Sequence, residues 1–191
     1  MMTDHFLEEV IVAGFGGQGV ILIGKLLTQT AMQKGLEVSY IPAYGPEVRG
    51  GTANCMVVVS DDPIASPLVN HPSSLIVMNK ASLLKFAPLV QPEGILVQNR
   101  SLIDESSGRD DITVLEVPAD DIAQEYNNPK GANMAALGAY VTARGILTAD
   151  DVAACMPNVL AKRHHHTLEA NINTLHAGAA YVREHYGALV G

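Results

Sequence analysis

Short apolar runs and amphipathic stretches alternate along the chain. Glu8 to Ala13 is a β-branched apolar run of the kind buried inside a sheet, and it predicts a first strand. From Gly17 to about Lys34 the period changes. Val20, Ile23, Leu27 and Ala31 recur at helical spacing, and Gly35 stands where a helix end takes a left-handed residue. Leu36 to Pro42 alternates as a second strand, and Thr52 to Ser60, "TANCMVVVS", reads as a third. Asp61 to Pro72 carries three prolines and predicts loop. A fourth strand is expected at Ser74–Met78, a short helix at Lys80–Phe86 and a fifth strand at Gly94–Gln98.

Residues 99–111, with "DESSGRDD", predict a polar surface excursion, and Ile112–Val117 a sixth strand. Helices are expected from Asp120 to Tyr126, Asn133 to Arg144 and Asp150 to Met156. A last amphipathic stretch runs from about Asn158 to Tyr186, with Leu168, Ile172, Leu175 and Ala179 on one face. Asn133 is expected to cap its helix. Thr148 is expected to cap the next one, with acids in the first turn.

The link between the second and third strands, "AYGPEVRGG", has nine residues. A parallel crossover needs about a dozen or more, so these strands are antiparallel if they are neighbours. The expected fold is therefore α/β: a three-layer sandwich with a mixed, mainly parallel sheet, a Gly-rich loop after strand 1 and a helical C-terminal third. With 191 residues, 48% of them hydrophobic, the chain reads as one domain, 1–191.

A net charge of −8 argues against broad binding to nucleic acid or an anionic membrane, and 5% aromatic content without Trp argues against a base-stacking platform. The two cysteines, Cys55 and Cys155, form no C-x-x-C pair and read as buried free thiols. Apolar runs such as "GVILIG" are far shorter than a membrane span, and no secretory leader is expected. The chain reads as cytoplasmic.

Gly14, Gly16 and Gly19 satisfy G-x-G-x-x-G between a strand and a helix. At such a turn the unpaired amides and the helix dipole favour a phosphate, although glycines there also serve tight packing. NAD binding would add an acid at the end of the second strand. That strand ends in Ile41, Pro42 and Ala43. Glu37 begins it instead of ending it, and Glu47 falls in the following loop. The NAD reading fails on this point.

Lys25, about two helical turns along, is placed for a phosphate further along an extended ligand or for a solvated surface position. "AYGPEVRGGTANC" joins a rigid proline, permissive glycines and the planar cation Arg49, a composition suited to binding or docking. Asn79 with Lys80, Asn99 with Arg100, and Lys130 with Asn133 are further candidates, each more often structural. "KRHHH", Lys162 to His166, reads as a solvated helix face, because consecutive side chains on a helix diverge by about 100° and cannot share one ion. No nucleophile–base arrangement is apparent.

Together "GFGGQGV" and "AYGPEVRGGTANC", supported by "SDDPIASPLV", "LIVMNKASL" and "NMAALGAY", closely resemble the gamma subunit of 2-oxoacid:ferredoxin oxidoreductases. The similarity runs from about Glu8 to Tyr186 and weakens near residue 107. It implies a subunit that is not active alone. In the family, partner subunits carry thiamine diphosphate and iron–sulfur clusters, decarboxylate a 2-oxoacid and pass electrons to ferredoxin. The gamma part lies beside the thiamine site and is associated with coenzyme A.

A lysine thought to contact coenzyme A in fused members falls on Lys25. The residues implied for the coenzyme site are Gly14, Gly16, Gly17, Gln18, Gly19, Lys25, Arg49, Gly50 and Gly51, with no catalytic residue and no metal ligand on this chain. Arg49, Gly50 and Gly51 are assigned to the ligand pocket or the subunit seam without choosing. A free-standing nucleotide- or flavin-binding oxidoreductase and a purely structural subunit remain the alternatives.

Overall fold

A computed structural model describes residues 5–45 and 51–187. Arg49 and Gly50 lie outside the described residues. Six strands form one sheet: β1 (Leu7–Phe15), β2 (Glu37–Tyr44), β3 (Thr52–Ser60), β4 (Ser74–Val77), β5 (Ile95–Asn99) and β6 (Thr113–Val117). Their spatial order is β2-β3-β1-β4-β5-β6. β3 pairs antiparallel with both β2 and β1, while β1, β4, β5 and β6 pair in parallel. The mixed, mainly parallel sheet expected from the chain is the one observed. The short β2–β3 link closes an antiparallel hairpin, with the Gly45 amide donating to the Thr52 carbonyl at 2.7 Å.

Alternation along the strands sorts the core onto two faces. Val10, Val12, Val57, Val59, Ile76, Val97 and Leu115 face α1 (Val20–Gln33), α4 (Ala132–Arg144), α5 (Ala149–Val159) and α6 (Leu168–Tyr186). Ile11, Ala13, Val58, Leu75, Val77 and Leu96 face the other way, under the short α2 (Lys80–Phe86), Val69 and Ile103. α3 (Ala119–Glu125) follows β6 and packs with the first group through Ile122.

One helical face is thick and the other thin. Part of the thin layer is the segment expected to be a polar surface excursion. It buries Ile103 completely, and Gln98 Nε2 and Arg100 Nη1 hold it by donating to the Ile103 carbonyl at 3.3 and 2.8 Å. A buried apolar residue thus anchors an otherwise polar stretch.

α4 and α6 cross at backbone distance. A Cβ added to Gly138 would lie 1.9 Å from the Leu175 carbonyl oxygen, and one added to Gly178 would lie 2.0 Å from that of Ala135. The reciprocal glycines let the last long helix seat in the core, with Leu175, Ala179 and Val182 fully buried. The stretch expected to be amphipathic from Asn158 to Tyr186 is, however, broken. α5 continues through Pro157 to Val159 and ends at Leu160, and a 3-10 turn over Lys162–Thr167 precedes α6. Proline withholds its amide from the helix ladder, so the helix ends within a turn of it.

At the amino end of β1, Glu8 is buried at 1% exposure. Its Oε1 accepts from the Tyr140 hydroxyl at 2.9 Å. Its Oε2 accepts from Arg144 Nε at 2.6 Å and from Ser73 Oγ at 3.0 Å. Burial first, and the Glu8 carboxylate second, hold the Tyr140 phenol well above its ordinary range, so it stays a donor.

Candidate functional site

β1 and α1 meet at residues 16–19, and the glycines there divide their tasks. A Cβ on Gly14 would lie 2.8 Å from both Gln18 Oε1 and Val20 Cγ1, so Gly14 serves close packing of the loop on the strand. Gly17 and Gly19 have φ of 100° and 75°, in the left-handed region that favours glycine. These turns delay α1 to Val20, three residues after the start expected at Gly17.

Gln18 fastens the loop from within. Its Oε1 accepts from the Phe15 amide at 2.7 Å and from Asn79 Nδ2 at 3.0 Å, and its Nε2 donates to the Met78 carbonyl at 2.9 Å. Asn79 in turn caps α2 by accepting from the Ser82 amide at 2.9 Å. The side chains of Gln18 and Asn79 are therefore engaged within the chain.

Part of the backbone is not. Among the described residues, the amides of Gly17, Gly19, Val20 and Ile21 donate to no carbonyl. They lie at the positive end of α1, where an anion is favoured. Asn133 does not cap α4 as expected, because Gly131 takes that place. From inside the helix its Nδ2 reaches the Gly19 carbonyl at 3.4 Å, which ties α4 to the loop.

The antiparallel β3 brings the second glycine motif here. Phe15 pairs with Thr52 at the end of the ladder, and the Gly16 amide donates to the Gly51 carbonyl at 2.9 Å. Two motifs far apart in the chain thereby share one edge. They border an open cleft of about 470 Å³ lined by Gly16, Gly17, Gly19, Lys25, Tyr44, Ala53, Leu160, Ala161 and His164, among others. Lys25 is exposed and has no carboxylate partner among the described residues.

His164 was not expected here: the tract "KRHHH" read as a solvated helix face. Only its position after the break at Leu160 carries it to the cleft. Beyond Phe15 a second, apolar hollow of about 550 Å³ is lined by Phe15, Gln18, Asn79, Lys80, Leu84 and Leu102, with Lys80 paired to Glu105.

The remaining candidates serve the fold. Asn99 donates to Asp120 at 2.7 Å and Arg100 to Asp104 at 2.9 Å. Glu37 pairs with Ser60 at the opposite end of β2 from the cleft, and β3 separates β2 from β1. The acid that NAD would need is absent from the described end of β2. Cys55 lies beneath the first turn of α1, its Sγ 3.5 Å from the Val20 carbonyl, and burial pushes its thiol up to about 12. Among the described residues no group of three or more His, Cys, Asp and Glu side chains is placed to hold a metal ion, and no helix is long and apolar enough to cross a membrane.

Fold and cleft together define an α/β protein with a glycine-rich loop opening on a cleft at one end of a mixed sheet. Residues 9–181 match the family model described as pyruvate ferredoxin/flavodoxin oxidoreductase. The chain belongs to that family. It is 41% identical over 143 residues to the ketoisovalerate oxidoreductase subunit VorA of Methanothermobacter marburgensis, a match covering 75% of the chain and 30% of that relative, so the chain spans under a third of its length. It is 32% identical over 184 residues to the 2-oxoglutarate synthase subunit KorC of the same organism, covering 93% of the chain and 97% of KorC.

Its fold matches, with a TM-score of 0.84 and 20% identity, the 2-oxoglutarate:ferredoxin oxidoreductase from Magnetococcus marinus solved with 2-oxoglutarate, coenzyme A and succinyl-CoA bound. That match covers 93% of this chain and 31% of that one.

Proposed function

We propose that the chain is the gamma subunit of a multi-subunit 2-oxoacid:ferredoxin oxidoreductase, not active alone. In this reading the cleft contributes to the coenzyme A site during oxidative decarboxylation of a 2-oxoacid to acyl-CoA. The observation that carries this reading is the set of amides at Gly17, Gly19, Val20 and Ile21 that have no carbonyl partner among the described residues, beside a cleft that Lys25 also lines. Fixed backbone donors suit a phosphate without needing a cation at the loop itself. Lys25 lies five residues beyond Val20, ~8 Å along the helix at ~1.5 Å per residue, and reaches a phosphate further along an extended ligand.

Gly14 and Gln18 then act through the loop's shape, and Gly16 and Gly51 through the seam between the two motifs. Arg49 and Gly50, outside the described residues, belong to the same proposal. Similarity to KorC, itself named as a subunit, over 93% of the chain supports the subunit reading. Partner subunits would hold thiamine diphosphate and the iron–sulfur clusters and would supply the redox chemistry. This chain binds and orients the acyl acceptor beside that centre.

The test is oxoacid-dependent viologen reduction by the assembled enzyme with coenzyme A varied. Lys25→Ala should raise KM for coenzyme A about tenfold with kcat little changed, the loss of one hydrogen bond to a charged group. Unchanged coenzyme A dependence in a Lys25→Ala, Arg49→Ala variant would defeat the proposal.

A further inference from the structure

The 3-10 turn after α5 holds three histidines whose rings point apart. The His165 ring bonds the Leu160 carbonyl at 3.0 Å, and the His166 ring bonds the Arg163 carbonyl at 3.0 Å. Thr167 Oγ1 donates to the His164 carbonyl at 2.7 Å. Two of the three rings thus hold the turn together, and His164 is the one that lines the cleft. Its Nε2 accepts from Arg163 Nε at 3.1 Å, which leaves Nδ1 carrying the proton, with no acceptor among the described residues.

Charge points the same way. The chain carries a net charge of −8, and Lys34, Lys80, Arg100, Arg109 and Arg144 are all paired with carboxylates. Lys25, Lys85, Lys130, Lys162, Arg163 and Arg183 have no such partner among the described residues, and three of these six stand at the cleft. Lys25 lines the cleft, and Lys162 and Arg163 stand between the lining residues Ala161 and His164. Cations left uncompensated around one concavity of an acidic protein concentrate positive potential there.

We propose that Arg163 and His164, on the 3-10 turn, form the second half of the cleft's anion site and bind, together with Lys25, the ligand phosphate remote from the glycine loop. The inference rests on the coenzyme A reading of the cleft and adds a wall to it. The ligand class is an extended nucleotide with two separated phosphate groups, one on the loop amides and one between α1 and the turn after α5. Arg163 supplies a planar fork of donors, and His164 Nδ1 a further donor whose direction the Arg163 bond fixes.

The experiment compares coenzyme A with 3′-dephospho-coenzyme A as acyl acceptors for the assembled enzyme. Three forms are measured: the native chain, an Arg163→Ala, His164→Ala variant, and Lys85→Ala, which removes a cation lying over Phe86. The double variant should raise KM for coenzyme A by about tenfold or more, and KM for the dephospho compound by less than about twofold, because that probe lacks the group the two residues bind. Lys85→Ala should change neither. All three residues are exposed, so melting temperatures should agree.

Equal changes for both acceptors, or none for either, would overturn the inference while native coenzyme A dependence left the underlying reading standing. A native enzyme that turns over without coenzyme A would overturn both.

Discussion

β1 carries a polar cluster at each end, and the two are built on opposite rules. At Glu8 both carboxylate oxygens are engaged by Tyr140, Arg144 and Ser73, and the group is 1% exposed. At residues 16–19 the Gln18 side chain is engaged on Met78 and Asn79. The amides of Gly17 and Gly19, with those of Val20 and Ile21 beyond them, nevertheless have no carbonyl partner among the described residues, and Lys25 nearby has no carboxylate there. The first cluster holds α4 against the sheet. The second is pinned to Met78, Gly51 and Asn133 and still leaves donors without a partner among the described residues. A polar group whose bonds close inside the chain serves the fold, and one whose bonds stay open is available to a ligand.

The comparison breaks most sharply at Glu8. Glu8→Ala leaves Arg144 and the Tyr140 hydroxyl without their buried acceptor and should cost about 3–5 kcal/mol. Urea unfolding of the purified chain would show it as a lower midpoint. Whatever folded enzyme survives should keep its KM for coenzyme A.

Gly19→Ala should affect both stability and binding. The new Cβ would lie 2.3 Å from Asn133 Nδ2 at a φ of 75°, a conformation costing about 1–3 kcal/mol. The displaced loop amides should also weaken coenzyme A. A variant that loses stability but binds normally would separate the loop's shape from its proposed ligand.

The smallest effect at neutral pH concerns Cys55, buried under the loop helix. Its folded thiol lies at about 12 against an ordinary 9.0, because burial disfavours the thiolate. The unfolded chain therefore releases this proton first as pH rises. Stability should be level below pH 9 and fall between pH 9 and 12. Tyr40, raised from 10.0 to about 12 chiefly by burial, adds to the upper part of the same window. Cys55→Ala should flatten the fall. A thiol reagent at pH 8 should label Cys55 in urea and leave the folded protein unmodified.

Much of this was legible in the chain wherever local rules decide. β3 and α2 have the ends read from the pattern, Gly35 turns left-handed after α1, and the length of "AYGPEVRGG" correctly predicts an antiparallel neighbour. Thr148 caps α5 with a full capping box. What escaped was set by residues distant in sequence. Asn133 looked like a cap because Asn at a helix start favours that role, yet its side chain bridges to Gly19, over a hundred positions away.

His164 looked solvated because one amphipathic stretch was expected from Asn158, just after Pro157, to Tyr186, whereas α5 runs through that proline to Val159 and a 3-10 turn follows. The signal available was the proline itself, which forecasts a break but not where the freed segment will fall. Glu8 stood as an acid inside an apolar run, a pattern that asks for a buried partner. Only the tertiary fold names Arg144 and Tyr140 as that partner.

The reversed strand β3 has a consequence for how such a site can diversify. Slipping β3 by one residue would turn Cys55, Val57 and Val59 away from their helical face, so hydrophobic sorting locks the ladder. It would also carry Gly51 one strand rise, ~3.4 Å, from Gly16. The meeting of the two glycine motifs is thus inherited from the core and requires no residue between Gly45 and Gly51. A site built this way can change the side chains that line its cleft while hydrophobic sorting in the core returns both motifs to the same edge.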